Sequence, residues 1–159
     1  MTDRAIRVEW EPVPETDERL LKLHAHWLSI CPNGRVSSRK DFKPAAITSL
    51  LPFVFLVDVL SGPRNFRFRL AGTAFAPVIG REITGLLIDE VFPPEYNLEV
   101  LEGWNVVVGE YGPNWGSGDL WQKERAFIRW QGVILPLRSD GAETKQLLGA
   151  AVFTWKNPA

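Results

Sequence analysis

The sequence predicts an α+β fold, an antiparallel sheet with its helices inserted between the second and third strands. Three observations lead there. Two short apolar stretches, Phe53–Leu60 and Phe66–Leu70, are separated by a turn-rich connection of hairpin length. Two longer ones, Ala126–Arg138 and Lys145–Trp155, form a second hairpin pattern at the end of the chain. Between the two pairs lies a helical pattern at Glu95–Val108, preceded by glycine- and proline-rich sequence. At 159 residues and 45% hydrophobic composition, the chain suits one domain with its own core.

Each element has a local reason. Residues 1–15 read as an arm with a short strand at Ile6–Trp10. The domain proper spans 16–156 and begins with helices over 16–51. Thr16 can cap the first helix, with Asp17 and Glu18 in its first turn, where the positive end of the helix dipole favours them. Leu20, Leu23, His24, Trp27 and Cys31 then form one apolar stripe, and Pro32-Asn33-Gly34 stops the helix. A second short helix follows Asp41, tolerates Pro44 in its first turn and ends before Pro52.

In the first hairpin Phe66, Phe68 and Leu70 alternate with Arg67 and Arg69, giving one apolar and one polar face. Matching that apolar face to Phe55, Val57 and Val59 puts Asp58 beside the two arginines. Residues 72–93 suit short helical pieces. On the 95–108 helix Tyr96, Val100, Leu101, Trp104, Val107 and Val108 share a face. Gly109–Gly118 reads as a loop, and Ser139-Asp140-Gly141 as the last hairpin turn. The final strand contains LLGAAVF, apolar on both faces, so both faces of the sheet need cover. The 95–108 helix serves one face. The N-terminal helix or a partner subunit serves the other.

Charge and composition exclude several classes. A net charge of −1 leaves no electrostatic footprint for nucleic acid. Cys31 is the only cysteine, which rules out an intrachain disulfide and a cysteine-based zinc site. No apolar run is long enough to span a bilayer, and the N-terminus lacks a signal-peptide core, so the expectation is a cytoplasmic protein. His24 and His26, the two histidines, lie two apart on a helix and point to different faces, so no metal site is expected. The glycines at 109, 112, 116 and 118 lie between a helix and a strand with no Lys-Ser or Lys-Thr after them, which is the wrong context for a phosphate loop.

The element order, with His26-Trp27, Ser38-Arg39, Pro44-Ala45-Ala46-Ile47, Leu50-Leu51-Pro52, RFRLAGT at Arg67–Thr73, GREITG at Gly80–Gly85, LPLRSDG at Leu135–Gly141 and LLGA at Leu147–Ala150, resembles a bacterial family of short stand-alone PAS domain proteins. The matching pieces run from about residue 26 to 150. The resemblance implies a five-stranded antiparallel sheet cupping a small pocket, with the longer helix as its lid. It implies sensing or partner binding rather than catalysis. Haem-binding relatives use an axial histidine, often on the long helix, and helix 95–108 has none. Flavin-adduct relatives use a cysteine among the short helices, and 72–93 has none. Haem and covalent flavin are therefore disfavoured, while flavin without the adduct stays open.

The leading expectation is a sensor that binds a small apolar or aromatic ligand and signals through protein contact. Phe68, Phe75, Ile79, Trp104, Val108, Trp130 and Leu135 are its candidate pocket residues, drawn from the sheet's apolar face and the covering helices. An alternative is a ligand-free dimerisation or docking module, with Trp10, Leu20, Leu23 and Trp27 at the interface of a homodimer. A third is a small cone-shaped α+β isomerase or cyclase in which Asp58 is the base. A cross-strand ion pair is the plainer role for Asp58. No Ser/His/Asp set or pair of catalytic carboxylates stands out, and the chain is expected not to be an enzyme.

Overall fold

The computed structural model describes residues 6–9, 11–31, 36, 38–62, 65–110, 112–138 and 144–156. Trp10, the Pro32-Asn33-Gly34 stop and the Ser139-Asp140-Gly141 turn lie outside them. Six strands form one sheet in the order β1-β4-β5-β6-β2-β3. They are β1 (Ile6–Glu9), β2 (Val54–Val59), β3 (Phe66–Ala71), β4 (Asn114–Asp119), β5 (Ile128–Arg138) and β6 (Thr144–Trp155). All neighbouring strands run antiparallel. Strands β2 to β6 make the five-stranded antiparallel sheet, with β2 lying between β3 and β6. The arm adds β1 at the edge, where Ile6 faces Gly118 and Glu9 faces Trp115. The helices α2 (Phe75–Ile79), α3 (Ile88–Val91) and α4 (Pro94–Glu110) all fall between β3 and β4.

The helix α1 (Glu18–Ser29) covers the outer face of the sheet. Its cap is Asp17 and not Thr16. The Asp17 carboxylate accepts the Arg19 amide at 2.9 Å and also pairs with the Arg19 guanidinium. The hydrogen bonds from the Arg19 guanidinium, with the amide's in support, hold the Asp17 carboxyl below its ordinary range. Leu20, Leu23 and Trp27 are buried against Leu56, Val133, Leu135, Leu137, Leu148 and Val152 of the same chain. The Trp27 indole N–H donates to the Pro136 carbonyl at 2.9 Å. These three residues are therefore internal core, and the expectation that they form an interface is corrected. Both partners of the packing are apolar, and burying each large side chain contributes about 1.5–3 kcal/mol.

Three further expectations are corrected. The short helix after Asp41 does not end before Pro52. It is a ten-residue 3-10 stretch, Pro44–Phe53, kinked at Ile47 and passing through Pro52, where no long run of α-type hydrogen bonds is present for proline to break. The supposed loop at Gly109–Gly118 is the last turn of α4 followed by β4. Its sequence NWGSGD lacks an apolar alternation, but β1 and β5 flank it and supply its pairing. Finally, Leu70 is 42% exposed, because a bulge shifts the register so that Val57 faces Phe68 and Leu56 faces Leu70.

Candidate functional site

The inner face of the sheet is built in rows. Asn114, Ile134 and Gly149 lie across from one another in one row, ending at Phe55. Gly116, Gly132 and Ala151 form the next, and Gly118, Trp130 and Phe153 the one after. Small residues thus run between two bulkier rows and leave a trough. A methyl group added at Gly149 would lie 2.2 Å from the Phe55 ring, so the absence of a side chain there lets that ring lie against the sheet.

Helices roof the trough. Tyr96, Glu99, Val100, Gly103 and Trp104 recur at helical spacing on α4, and Phe75 and Ile79 come from α2. Phe55 meets Phe75 edge to face at 5.5 Å between centroids and stacks with Trp104 at 6.0 Å. Phe92 meets Trp121 edge to face at 4.8 Å and stacks with Tyr96 at 5.7 Å. These are favourable aromatic geometries, and they fix the walls. The segment after β4 straps α2 in place. The Gln122 side chain donates to the Ile79 carbonyl at 2.9 Å, and Arg125 donates to those of Pro77 and Val78 at 3.1 and 2.5 Å.

Between sheet and roof lies a cavity of about 120 Å³. Its lining is overwhelmingly apolar and aromatic, with no Lys, Arg, His or Cys side chain on it among the described residues. Three polar side chains punctuate the walls: Tyr96, Glu99 and Asn114. The Tyr96 hydroxyl accepts the Trp130 indole N–H at 2.6 Å, and burial pushes its pKa well above the ordinary phenol value. Asn114 is 7% exposed, and its carboxamide makes no hydrogen bond within the described residues. Gly103 stands opposite, where an added methyl would sit 3.7 Å from the Asn114 Oδ1.

Of the sequence-predicted pocket residues, Phe68, Phe75, Ile79, Trp104 and Trp130 line this cavity. Leu135 does not. It follows Ile134 on β5 and so points to the outer face, among the residues that meet α1. Val108 packs on the edge of the inner core, one turn past Trp104, and does not reach the cavity. Asn114, Gly116 and Gly132 were not anticipated. The signal for the two glycines was their place within strand sequence, which marks where bulk is left out, and no sequence signal pointed to Asn114.

The remaining candidates lie elsewhere. Asp58 accepts the Gln146 side-chain amide at 2.9 Å and pairs with Arg69 at 3.4 Å. It does not line the cavity. His24 contacts the Trp27 and Trp115 rings, His26 contacts Phe42, and Cys31 packs beside the outer core. No cluster of three metal-ligating side chains occurs among the described residues. None of their helices is long and apolar enough to cross a membrane.

An antiparallel sheet in this order, roofed on one face by short helices and one long one around a small cavity, is a sensor-type fold. The chain belongs to the PAS domain family, whose model matches residues 16–152. Among solved structures it is similar to an RNA-binding light-oxygen-voltage receptor, with a TM-score of 0.52 and 11% identity over 69% of this chain and 32% of that one. The chain therefore spans about a third of that receptor's length. It is also similar to a light-oxygen-voltage domain studied with a flavin analogue (TM-score 0.49, 15% identity, 69% and 82% covered). A third similar structure is the light state of the blue-light photoreceptor Aureochrome1 LOV (TM-score 0.47, 13% identity, 69% and 86% covered). No curated protein matches the chain. At these identities the solved structures bear on the fold alone.

A flavin without the adduct, which the sequence left open, fits this cavity poorly. Its lining includes no cysteine for an adduct. A volume of about 120 Å³ falls short of the roughly 300–1,000 Å³ typical of pockets for drug- and cofactor-sized molecules.

Proposed function

We propose that this PAS domain is a sensor that holds a small, largely apolar molecule between its sheet and α4, and passes the resulting change to a partner protein. The observation that carries the reading is the cavity itself. Its floor is a row of Gly116, Gly132 and Ala151, and its walls are aromatic. A void beneath α4 supports a ligand-holding domain over a docking module with a filled core. The paired state of Asp58, away from the cavity, supports a binding role over an isomerase or cyclase that uses it as base. The apolar lining and the lack of a histidine or cysteine on it favour a ligand other than haem or covalent flavin. A cytoplasmic location is part of the same proposal, and the free, half-buried Cys31 suits such a reducing compartment.

Ligand that binds only the folded state raises its melting temperature. A panel of small aromatic compounds should therefore raise the melting point of the natural chain. Ala151→Leu, which fills the trough, should abolish the shift while keeping a cooperative melt. A panel that shifts neither protein would overturn the reading.

A further inference from the structure

Resting on that reading, we infer that the ligand is a neutral, single-ring aromatic compound bearing one hydroxyl or carboxamide group, and that the Asn114 side chain orients it. Size sets the first limit. Cavities near 150 Å³ with apolar walls take up benzene, and this one is about 120 Å³, so it accommodates one ring and not two fused ones. The walls set the second. Phe55, Phe75 and Trp104 already pair edge to face or stacked around the space, and a planar ring continues that arrangement at little conformational cost.

Charge sets the third limit. No cationic side chain lines the cavity, and Glu99 contributes a carboxylate. A buried anion there would have no cationic partner, so the cavity favours a neutral ligand over a carboxylate. Asn114 supplies the polar requirement. It is 7% exposed and unpartnered, and it lines the cavity, with the side-chain-free Gly103 opposite. The residue is largely buried but lines the cavity, and a carboxamide both donates and accepts. A ligand hydroxyl or carboxamide matches that capacity, whereas a hydrocarbon leaves it unmet.

Calorimetric titration of the full chain with phenol, toluene and benzoate tests this directly. Toluene is the more hydrophobic of the neutral pair, so any preference for phenol must come from a polar contact. Phenol should bind about tenfold more tightly than toluene, and benzoate at pH 7 should not bind. In Asn114→Leu the preference should vanish while toluene still binds. Equal affinities for phenol and toluene in the natural chain would overturn the role of Asn114 yet leave the cavity reading standing. Binding of benzoate as tight as phenol would overturn the neutrality of the ligand. Failure of both phenol and toluene to bind the natural chain would sink the cavity reading itself. The natural-chain comparison holds even where Asn114→Leu fails to fold.

Discussion

On β5, the outer face carries Val133, Leu135 and Leu137, all fully buried beneath α1. The inner face of the same strand carries Trp130, Gly132 and Ile134, with a void over the glycine. One strand thus contributes to two interiors of opposite kind. The outer one is filled mainly by aliphatic side chains, with Trp27, Phe42 and Trp115 among them. The inner one has large rings at its rim and small residues at its centre. A void of about 120 Å³ costs roughly 3 kcal/mol at about 24 cal/mol per Å³. The outer layer bears on stability, and the inner one gives up part of that stability to keep room. Mutations should separate the two.

The largest effect belongs to the outer layer. Trp27→Ala should cost about 3–5 kcal/mol in denaturant or thermal unfolding, since Trp27 is 5% exposed and its indole holds the Pro136 carbonyl. A loss below 1 kcal/mol would mean that α1 is not a true cover. Next comes the wall of the cavity. Gly149→Ala would place a methyl 2.2 Å from the Phe55 ring, which must then move toward the trough. Such overpacking should cost about 1–3 kcal/mol, and it should also weaken ligand binding. Trp27→Ala should lower stability without that selective change in affinity.

The two layers also differ in how far the sequence revealed them. The outer layer was legible because Leu20, Leu23 and Trp27 recur at helical spacing and LLGAAVF demands cover. The helices between the two hairpins were legible from the same kind of periodicity, while the five-stranded sheet was implied by the resemblance to PAS domains. The inner floor was not, because it is made by leaving bulk out. Strand β4 reads NWGSGD, and no propensity identifies it until β1 and β5 are in place. Leu135 was misplaced by parity. It stands five residues from Trp130, an odd step that puts the two on opposite faces of a regular strand, and the run VILPL hides that because both faces are apolar. The bulge that turns Leu70 outward leaves no mark in FRFRL.

Gly103→Ala should act in the opposite direction to the losses above. Gly103 lies within α4 with nothing nearer to an added methyl than the Asn114 Oδ1 at 3.7 Å, an ordinary contact. Alanine in a helix interior is favoured over glycine by about 0.5–1 kcal/mol, so the variant should melt higher. It also takes up space opposite Asn114, so phenol should bind it more weakly. A variant that melts higher and binds as before would show that the ligand does not approach Asn114 from the α4 side.

The smallest effect is a pH dependence confined to the outer layer, because both histidines lie there. His24 is half-buried, lies against the ring of Trp27 at 6.0 Å and meets Trp115 edge on at 5.2 Å. Burial depresses its pKa below the ordinary 6.5. Between the depressed folded value and the unfolded one, the unfolded chain binds more protons than the folded one. Stability must then rise with pH through that window and fall as the solution is acidified below about 6.5. The ring is only half-buried, so water screens the effect and the slope should be shallow. Unfolding midpoints measured in urea between pH 7.5 and 5.5, above the range where carboxylates titrate, should decline for the natural chain. They should stay flat for His24→Gln. A decline that persists in His24→Gln would overturn the assignment of this pH dependence to His24.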